Sequence, residues 1–184
     1  MNFKKTIPKQ QDKIQIRYND LHAIQQISQK MLNWFPTIPR EYVVVFIGTD
    51  RSTGDALGPL SGTIFHDMKP RHMTIYGTLH NPVHAKNLSY YKQQIYLNHD
   101  NPFIIAVDAC LGRVESIGHL IAGIGPIQPG SALNKDLPSI GDVYITGVVN
   151  ISGFMEYSIL QSTRLATVMD MAQQIARILD PIDK

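Results

Sequence analysis

Two stretches of the chain carry uninterrupted apolar runs, and an aspartate lies beyond each of them. Residues 42–47 are aromatic or β-branched throughout, and residues 102–109 contain a similar run. Such runs are typical of parallel strands that are buried on both faces of a sheet. Asp108 closes the second run, and Asp55 follows the first run after a polar loop. We therefore predict two core strands that lead to carboxylates.

The remaining periodicity predicts the elements around these strands. Apolar positions at helical spacing indicate helices from Asp20 to about residue 32, over 55–68, over 84–97 and over 154–179. Shorter patterns indicate strands at 73–77, 117–124 and 142–150, while 13–18 fits a short edge strand or the lead-in to a helix. Pro59 places the start of its helix just before it, because proline fits a helix only in the first turn.

This order of elements favours one architecture. Strands that alternate with helices predict a three-layer α/β/α sandwich with a mostly parallel central sheet. We expect a single domain over residues 1–184, with a flexible tail at 1–12. The Gly/Pro-rich segment 125–141 has no regular pattern, and its length is typical of a functional loop.

Composition narrows the class of protein. Apolar residues make up 43% of the chain and charged residues 17%, which is typical of a folded globular domain. A net charge of +2 gives no reason to predict a nucleic-acid partner. The chain shows neither an apolar run of membrane-spanning length nor a signal-peptide core. Its single cysteine suits a reducing compartment. We therefore expect a cytoplasmic protein without a membrane partner. Self-association is left open.

The two aspartates are the main candidates for chemistry. If their strands are parallel neighbours, both carboxylates lie at the carboxyl edge of the sheet, where open α/β folds bind ligands. Two adjacent carboxylates can activate water as an acid–base pair or as ligands of a divalent metal. The structural alternative for Asp55 is capping its own helix. Asp108, directly after a buried run, must be paired or lie in a solvated cleft.

Other residues near these strand ends have weaker claims. Asp50, Arg51, Ser52 and Thr53 form the loop before Asp55 and are candidate substrate contacts, although Asp50 and Arg51 also suit a simple ion pair. Cys110 is better explained as a packing residue than as a nucleophile. The seven histidines form no HxH or HxxxH pair, and the glycines do not match a nucleotide-binding motif. We therefore predict no cofactor, with a divalent metal left open.

At the level of longer motifs, the chain resembles the YyaC-type sporulation protein family. The resemblance spans residues 42–172 and rests on the segments 46–59, 107–112, 135–138, 141–142, 145–150, 153–156 and 160–165. That family is similar in turn to the germination protease of spore-forming bacteria and, more distantly, to hydrogenase-maturation peptidases. The resemblance implies a phosphorylase/hydrolase-like α/β/α sandwich.

The resemblance also implies a function. The germination protease is proposed to use two aspartates, which match Asp55 and Asp108 here. The resemblance implies that this chain is a peptidase that acts on a peptide or protein during sporulation or germination. It would act in the cytoplasm of the sporulating cell or in the spore. Lys135 and Asn150 lie in matched segments and are candidate substrate contacts, with a solvated turn as the alternative for Lys135 and a capping or packing role for Asn150.

Two other functions compete with this hypothesis. One is a non-catalytic module that binds a peptide or protein on the same fold. The other is a metal-dependent amidase, since the hydrogenase-maturation peptidases bind metal through two acidic residues and a histidine after a later strand. The corresponding segment here, residues 146–150, contains no histidine.

Overall fold

The computed structural model describes residues 12–129 and 138–183. The described strands are β1 Lys13–Arg17, β2 Tyr42–Phe46, β3 Met73–Tyr76, β4 Phe103–Gly112, β5 His119–Ile124 and β6 Val143–Ile151. The described α-helices are α1 Ala23–Leu32, α2 Leu57–Asp67, α3 Leu88–Asn98, α4 Glu156–Gln161 and α5 Leu165–Leu179.

The six strands form one sheet in the order β1-β5-β6-β4-β2-β3. β3, β2, β4 and β6 are parallel neighbours, while β5 runs antiparallel between β6 and β1. The segment 13–18 is thus an edge strand, one of its two predicted alternatives. The mostly parallel α/β/α architecture that the sequence predicts is confirmed.

The two faces of the sheet carry different layers. Alternate residues of the core strands, such as Val44 and Ile105, pack with α1, α2 and α5 in the larger apolar cluster. The opposite residues, such as Val45 and Ile104, pack with α3 in a smaller cluster. This alternation follows from the two-residue repeat of a strand, and it explains why the core strands need apolar side chains at every position.

The prediction of one helix over 154–179 is wrong, because the chain forms α4 and α5 with a break at residues 162–164. The side chains of Ser162 and Thr163 donate hydrogen bonds back to main-chain carbonyls four residues earlier, at 2.9 and 2.8 Å. Arg164 then takes an extended conformation that ends the helical turn. Phe154, the first residue of the predicted helix, lies before α4 and is fully exposed.

The helix predicted over 84–97 begins four residues later than expected. The side chain of Asn87 accepts a hydrogen bond from the main-chain N–H of His84 at 2.7 Å and donates one to the carbonyl of Pro82 at 3.0 Å. These bonds close a turn before α3 begins, since an asparagine side chain competes with helical hydrogen bonding.

The long connection from β5 to β6 leaves the sheet at the edge opposite the carboxyl ends of β2 and β4, because β5 is antiparallel to β6. Its described ends then fold over the α3 face, where Ile127 pairs with Ile140 and the Ser139 carbonyl accepts a hydrogen bond from Lys92 at 2.8 Å. The middle of the connection, which includes Lys135, lies outside the described residues.

Across the described ranges, no helix combines the length and the apolar character that crossing a bilayer requires.

Candidate functional site

The site arises where β2 ends and β4 continues. β2 pairs with β4 as far as Phe46 opposite Val107, whereas β4 runs on to Gly112. Asp108 therefore lies within β4, not at its end as predicted, and it comes just beyond the last paired residue of β2. The chain that leaves β2 enters this space and carries Asp55 there.

The loop after β2 is held close to the sheet. Gly48 has φ of 146°, and a Cβ atom on it would lie 1.9 Å from the carbonyl oxygen of Asp55. No other residue fits this position, because both the backbone angle and the space exclude a side chain. The main-chain N–H of Thr49 donates to the same Asp55 carbonyl at 3.1 Å. The loop therefore closes as a compact turn.

Asp108 is the buried member of the pair. Only 9% of its surface is exposed, and its Oδ1 accepts a hydrogen bond from the main-chain N–H of Ala109 at 2.8 Å. Burial, and secondarily the negative charge of Asp55, hold the pKa of Asp108 well above the usual range of an aspartate. The Ala109 bond opposes this only in part. The structure thus favours a protonated carboxyl group, with Oδ2 left to carry the proton.

Asp55 is the more accessible member. It lies in the single 3₁₀ turn Gly54–Ala56 that precedes α2, and it is half-buried. The N-cap position of α2 is Ala56, which offers no capping side chain. Asp55 is close enough for its charge to act on Asp108. The structure therefore brings together the two carboxylates that the sequence predicts at this edge.

The four other loop candidates differ in their exposure. Asp50 and Arg51 point to solvent, while Thr53 is half-buried. Ser52 is 5% exposed, and its hydroxyl has no hydrogen-bond partner among the described residues. A buried hydroxyl without a partner costs roughly 1–3 kcal/mol, so Ser52 is the most unusual of the four.

The loop is braced from the other side by the turn between α4 and α5. A Cβ atom on Gly54 would lie 2.8 Å from Leu160 Cδ2 and 3.1 Å from Thr163 Oγ1. Asn150 donates from its amide to Thr163 Oγ1 at 3.2 Å and to the Ile159 carbonyl at 3.3 Å. These bonds give Asn150 a packing role, which was one of its two predicted alternatives. Its predicted contact with substrate stays a prediction.

Sequence reasoning missed a polar patch beside Asp108 on the same face of the sheet. Thr146 is the direct neighbour of Asp108 on β6, and it hydrogen-bonds the thiol of Cys110. Burial, opposed by that bond and assisted by the charge of Asp108, raises the pKa of Cys110 to about 11. Burial, with Cys110 as a lesser cause, raises the pKa of Tyr144 on β6. Alternation along β6 could have marked Tyr144 and Thr146, but only with the strand pairing known.

The donor set at this edge suits proton transfer better than metal binding. Within residues 12–129 and 138–183, no three His, Cys, Asp or Glu side chains converge as ligands for a metal ion. Asp55 and Asp108 supply two carboxylates, whereas catalytic zinc sites in proteins usually have three protein ligands. The two aspartates alone therefore do not complete the ligand set of such a site.

Fold and site together define an α/β protein with a pair of interacting carboxylates at the carboxyl edge of its sheet. The chain belongs to the family described as "Protein of unknown function (DUF1256)", whose model matches residues 15–178. It is 54% identical over 142 residues to the "Uncharacterized protein YyaC" of Bacillus subtilis (strain 168), covering 77% of this chain and 69% of that protein. The YyaC-type resemblance is thereby confirmed.

The chain is also similar to a solved structure. This is the crystal structure of a NiFe hydrogenase maturation protease, HycI, from Thermococcus kodakarensis KOD1, with a TM-score of 0.45 and 18% identity. The match covers 76% of this chain and 92% of that one.

Proposed function

We propose that this protein is a peptidase-like hydrolase in which Asp55 and Asp108 activate water for attack on a peptide carbonyl. The observation that carries the proposal is the coupling of the two carboxylates, since the charge of Asp55 helps to keep a proton on buried Asp108. Two carboxyl groups whose environments push their pKa values apart are suited to act as an acid and a base at one site.

The unequal surroundings assign the roles. Half-buried Asp55, as the carboxylate, takes a proton from water while the water oxygen bonds to the carbonyl carbon. Asp108 donates its Oδ2 proton to the carbonyl oxygen, which gives a neutral tetrahedral diol. When the C–N bond breaks, Asp55 returns its proton to the leaving nitrogen and a diol hydroxyl returns a proton to Asp108. The products are one carboxylic acid and one amine, and both aspartates regain their initial states.

The remaining loop residues support this assignment. Ser52, whose buried hydroxyl has no partner among the described residues, lies in the loop that carries Asp55 and is proposed as a substrate contact from its place in that loop. Asp50 and Arg51, which are exposed, and half-buried Thr53 belong to the same loop and are proposed as further substrate contacts. Lys135 is proposed as a substrate contact from its matched segment alone. Action during sporulation or germination, in the cytoplasm or the spore, rests on the family resemblance and is part of the proposal.

The test is a cleavage assay in water enriched in ¹⁸O. An extract of cells that lack this protein is incubated with the purified wild type or with purified Asp108→Asn, and new peptide termini are identified by mass spectrometry. Hydrolysis predicts new carboxyl termini that carry ¹⁸O with the wild type and at least about 100-fold fewer with the variant, the scale of losing general acid catalysis. Asp100→Asn, which removes an exposed carboxylate just before β4 and far from the proposed site, is the matched control.

Two outcomes would contradict the proposal. If Asp108→Asn produces the same termini as the wild type, the aspartates are not the acid and base. If the wild type produces none while it still binds peptides, the protein is a binding module. Cleavage that requires added divalent ions and that a chelator abolishes would instead indicate a metal-dependent amidase.

A further inference from the structure

The free edge of β3 borders a cavity that the proposed chemistry does not use. Among the described strands, β3 pairs with β2 alone. A cavity of about 640 Å³, here called the edge trough, is lined by Ile75–Thr78 along the chain, by Thr63 and His66 of α2 and by Tyr91 of α3. Its volume is within the range of about 300–1,000 Å³ that ligand sites occupy.

The lining residues show that the trough crosses the edge of the sheet. Ile75 packs against the apolar cluster under α2, whereas Tyr76 packs against the cluster under α3. Since successive side chains of a strand point to opposite faces, a cavity that contacts both must pass around the strand. The backbone of β3 is then the floor of the trough, and alternate residues direct their N–H and C=O groups into it.

The trough has preformed walls. The hydroxyl of Tyr76 hydrogen-bonds His99 Nε2 at 3.0 Å, and His99 Nδ1 in turn contacts Glu41 at 2.5 Å. The ring of Tyr91 meets that of Tyr76 edge-on, at 6.1 Å between centroids. The α3 side is therefore aromatic and fixed, while His66 and Asp67 make the α2 side polar.

The two edge strands of the described sheet also differ in charge. β1 places Lys13 and Arg17 along its edge, and charged side chains protect an edge from pairing with another strand. β3, with the sequence MTIY, carries no charge. The edge that borders the trough is therefore the one that lacks this protection.

The trough also leads towards the paired aspartates. A Cβ atom on Gly77, which follows β3 and lines the trough, would lie 1.9 Å from the carbonyl oxygen of Phe46, the last residue of β2. The loop that carries Asp55 begins just beyond, at Gly48. A strand bound along β3 would thus end at the edge of the sheet that holds the site.

We infer that the edge trough binds an extended segment of the substrate polypeptide as an added strand of the sheet. The identity of this occupant rests on the proposed peptidase function. Main-chain hydrogen bonds to β3 supply affinity, and the two walls select side chains in alternation, apolar towards Tyr91 and polar towards His66. At about 3.3 Å per residue, the four residues of β3, Met73–Tyr76, accommodate about four substrate residues.

The test uses Asp108→Asn protein, so that no cleavage follows, and a capped eight-residue peptide that alternates valine with threonine. Amide hydrogen exchange is measured across the chain. At ten times its dissociation constant, the peptide should slow the exchange of the outward-facing β3 amides about ten-fold and leave those of β1 unchanged. Ile75→Lys should abolish the effect, whereas Ile16→Lys, at a half-buried isoleucine of β1 that packs on the same cluster, should preserve it.

A pair of modified peptides tests the hydrogen bonds without changing the protein. Two analogues share all side chains but carry backbone N-methyl groups at alternate positions, and only one should lose its effect on β3. Equal behaviour of the two analogues, or unchanged exchange in β3, would overturn the inference. Protection of the β3 amides that increases with protein concentration in the absence of peptide would also overturn it. Such protection would indicate that two copies of the chain pair at this edge.

The two proposals fail separately. Asp108-dependent cleavage without any effect of the peptide on β3 overturns the trough inference and leaves the hydrolase standing. Slower β3 exchange without any cleavage retains the peptide site and overturns the hydrolase.

Discussion

Asp108→Asn should make the protein more stable at neutral pH while it abolishes the proposed activity. The pKa of Asp108 is raised in the folded state by burial and by the charge of Asp55. Between its unfolded pKa near 3.8 and the higher folded pKa, the folded state binds more protons than the unfolded state. Folding stability therefore falls as pH rises through this window. Asparagine removes the titration, but its side-chain oxygen still accepts the Ala109 N–H.

The size of the effect follows from linkage. Within the window, the wild type loses up to about 1.4 kcal/mol of unfolding free energy per pH unit relative to the variant. For a chain of this length, 1 kcal/mol corresponds to roughly 2–4 °C in Tm. The variant's advantage in Tm should therefore grow by up to about 3–6 °C per pH unit above pH 4 and level off above the folded pKa.

Thermal unfolding followed by circular dichroism at half-unit steps from pH 4 to pH 8 measures this difference. Asp50→Asn, which removes an exposed carboxylate from the loop that carries Asp55, controls for the change in net charge. Parallel Tm profiles for the wild type and Asp108→Asn would refute the reasoning. So would a variant that is less stable at every pH.

Asp55→Asn should separate the two causes of the raised pKa. The substitution removes the negative charge of Asp55, which is the smaller of the two causes, and leaves the effect of burial. The pKa of Asp108 should therefore fall but stay above its usual range. Titration of the carboxyl carbons by NMR measures the change. A pKa of Asp108 that does not move in this variant would mean that the two carboxylates do not interact.

Three further predictions concern the surroundings of the pair. Ser52→Ala should stabilise the protein by about 1 kcal/mol in urea unfolding, because it removes a buried hydroxyl without a described partner; a loss of stability would mean that the hydroxyl is bonded. Gly58→Ala should destabilise it by about 1–3 kcal/mol despite alanine's helix propensity, since the Cβ would lie 2.0 Å from the Ile47 carbonyl oxygen. Cys110, with its pKa of about 11, should react with a disulfide reagent at pH 8 more than about 100-fold more slowly in the folded than in the urea-unfolded protein.

The core strands could be predicted because their signal is local. Residues 42–47 and 102–109 show the composition of doubly buried strands, and both β2 and β4 indeed lie inside the sheet with a strand on each side. The meeting of Asp55 with Asp108 followed from one further rule, that parallel strands place their carboxyl ends at one edge. What the local signal could not give was the continuation of β4 past Asp108, since that depends on pairing with β6.

The break at residues 162–164 and the polar patch beside Asp108 depend on contacts between residues that are far apart in the sequence. The apolar spacing of residues 154–179 continues through the break, but the amide of Asn150 and the approach of Gly54 favour a turn at Thr163. The patch of Thr146 and Cys110 is likewise invisible until β4 and β6 are placed side by side. The spacing of apolar residues and the helix or strand propensity of each residue carry no information about such contacts.

The turn between α4 and α5 braces the Asp55 loop, and this contact determines when the site can form during synthesis of the chain. Gly54 rests on Leu160 and Thr163, which follow it by more than a hundred residues. During synthesis, the strand and loop that carry Asp55 emerge long before the segment that holds them in place. A nascent chain therefore has both aspartates well before it has a site, and the proposed activity begins only when synthesis has passed Thr163.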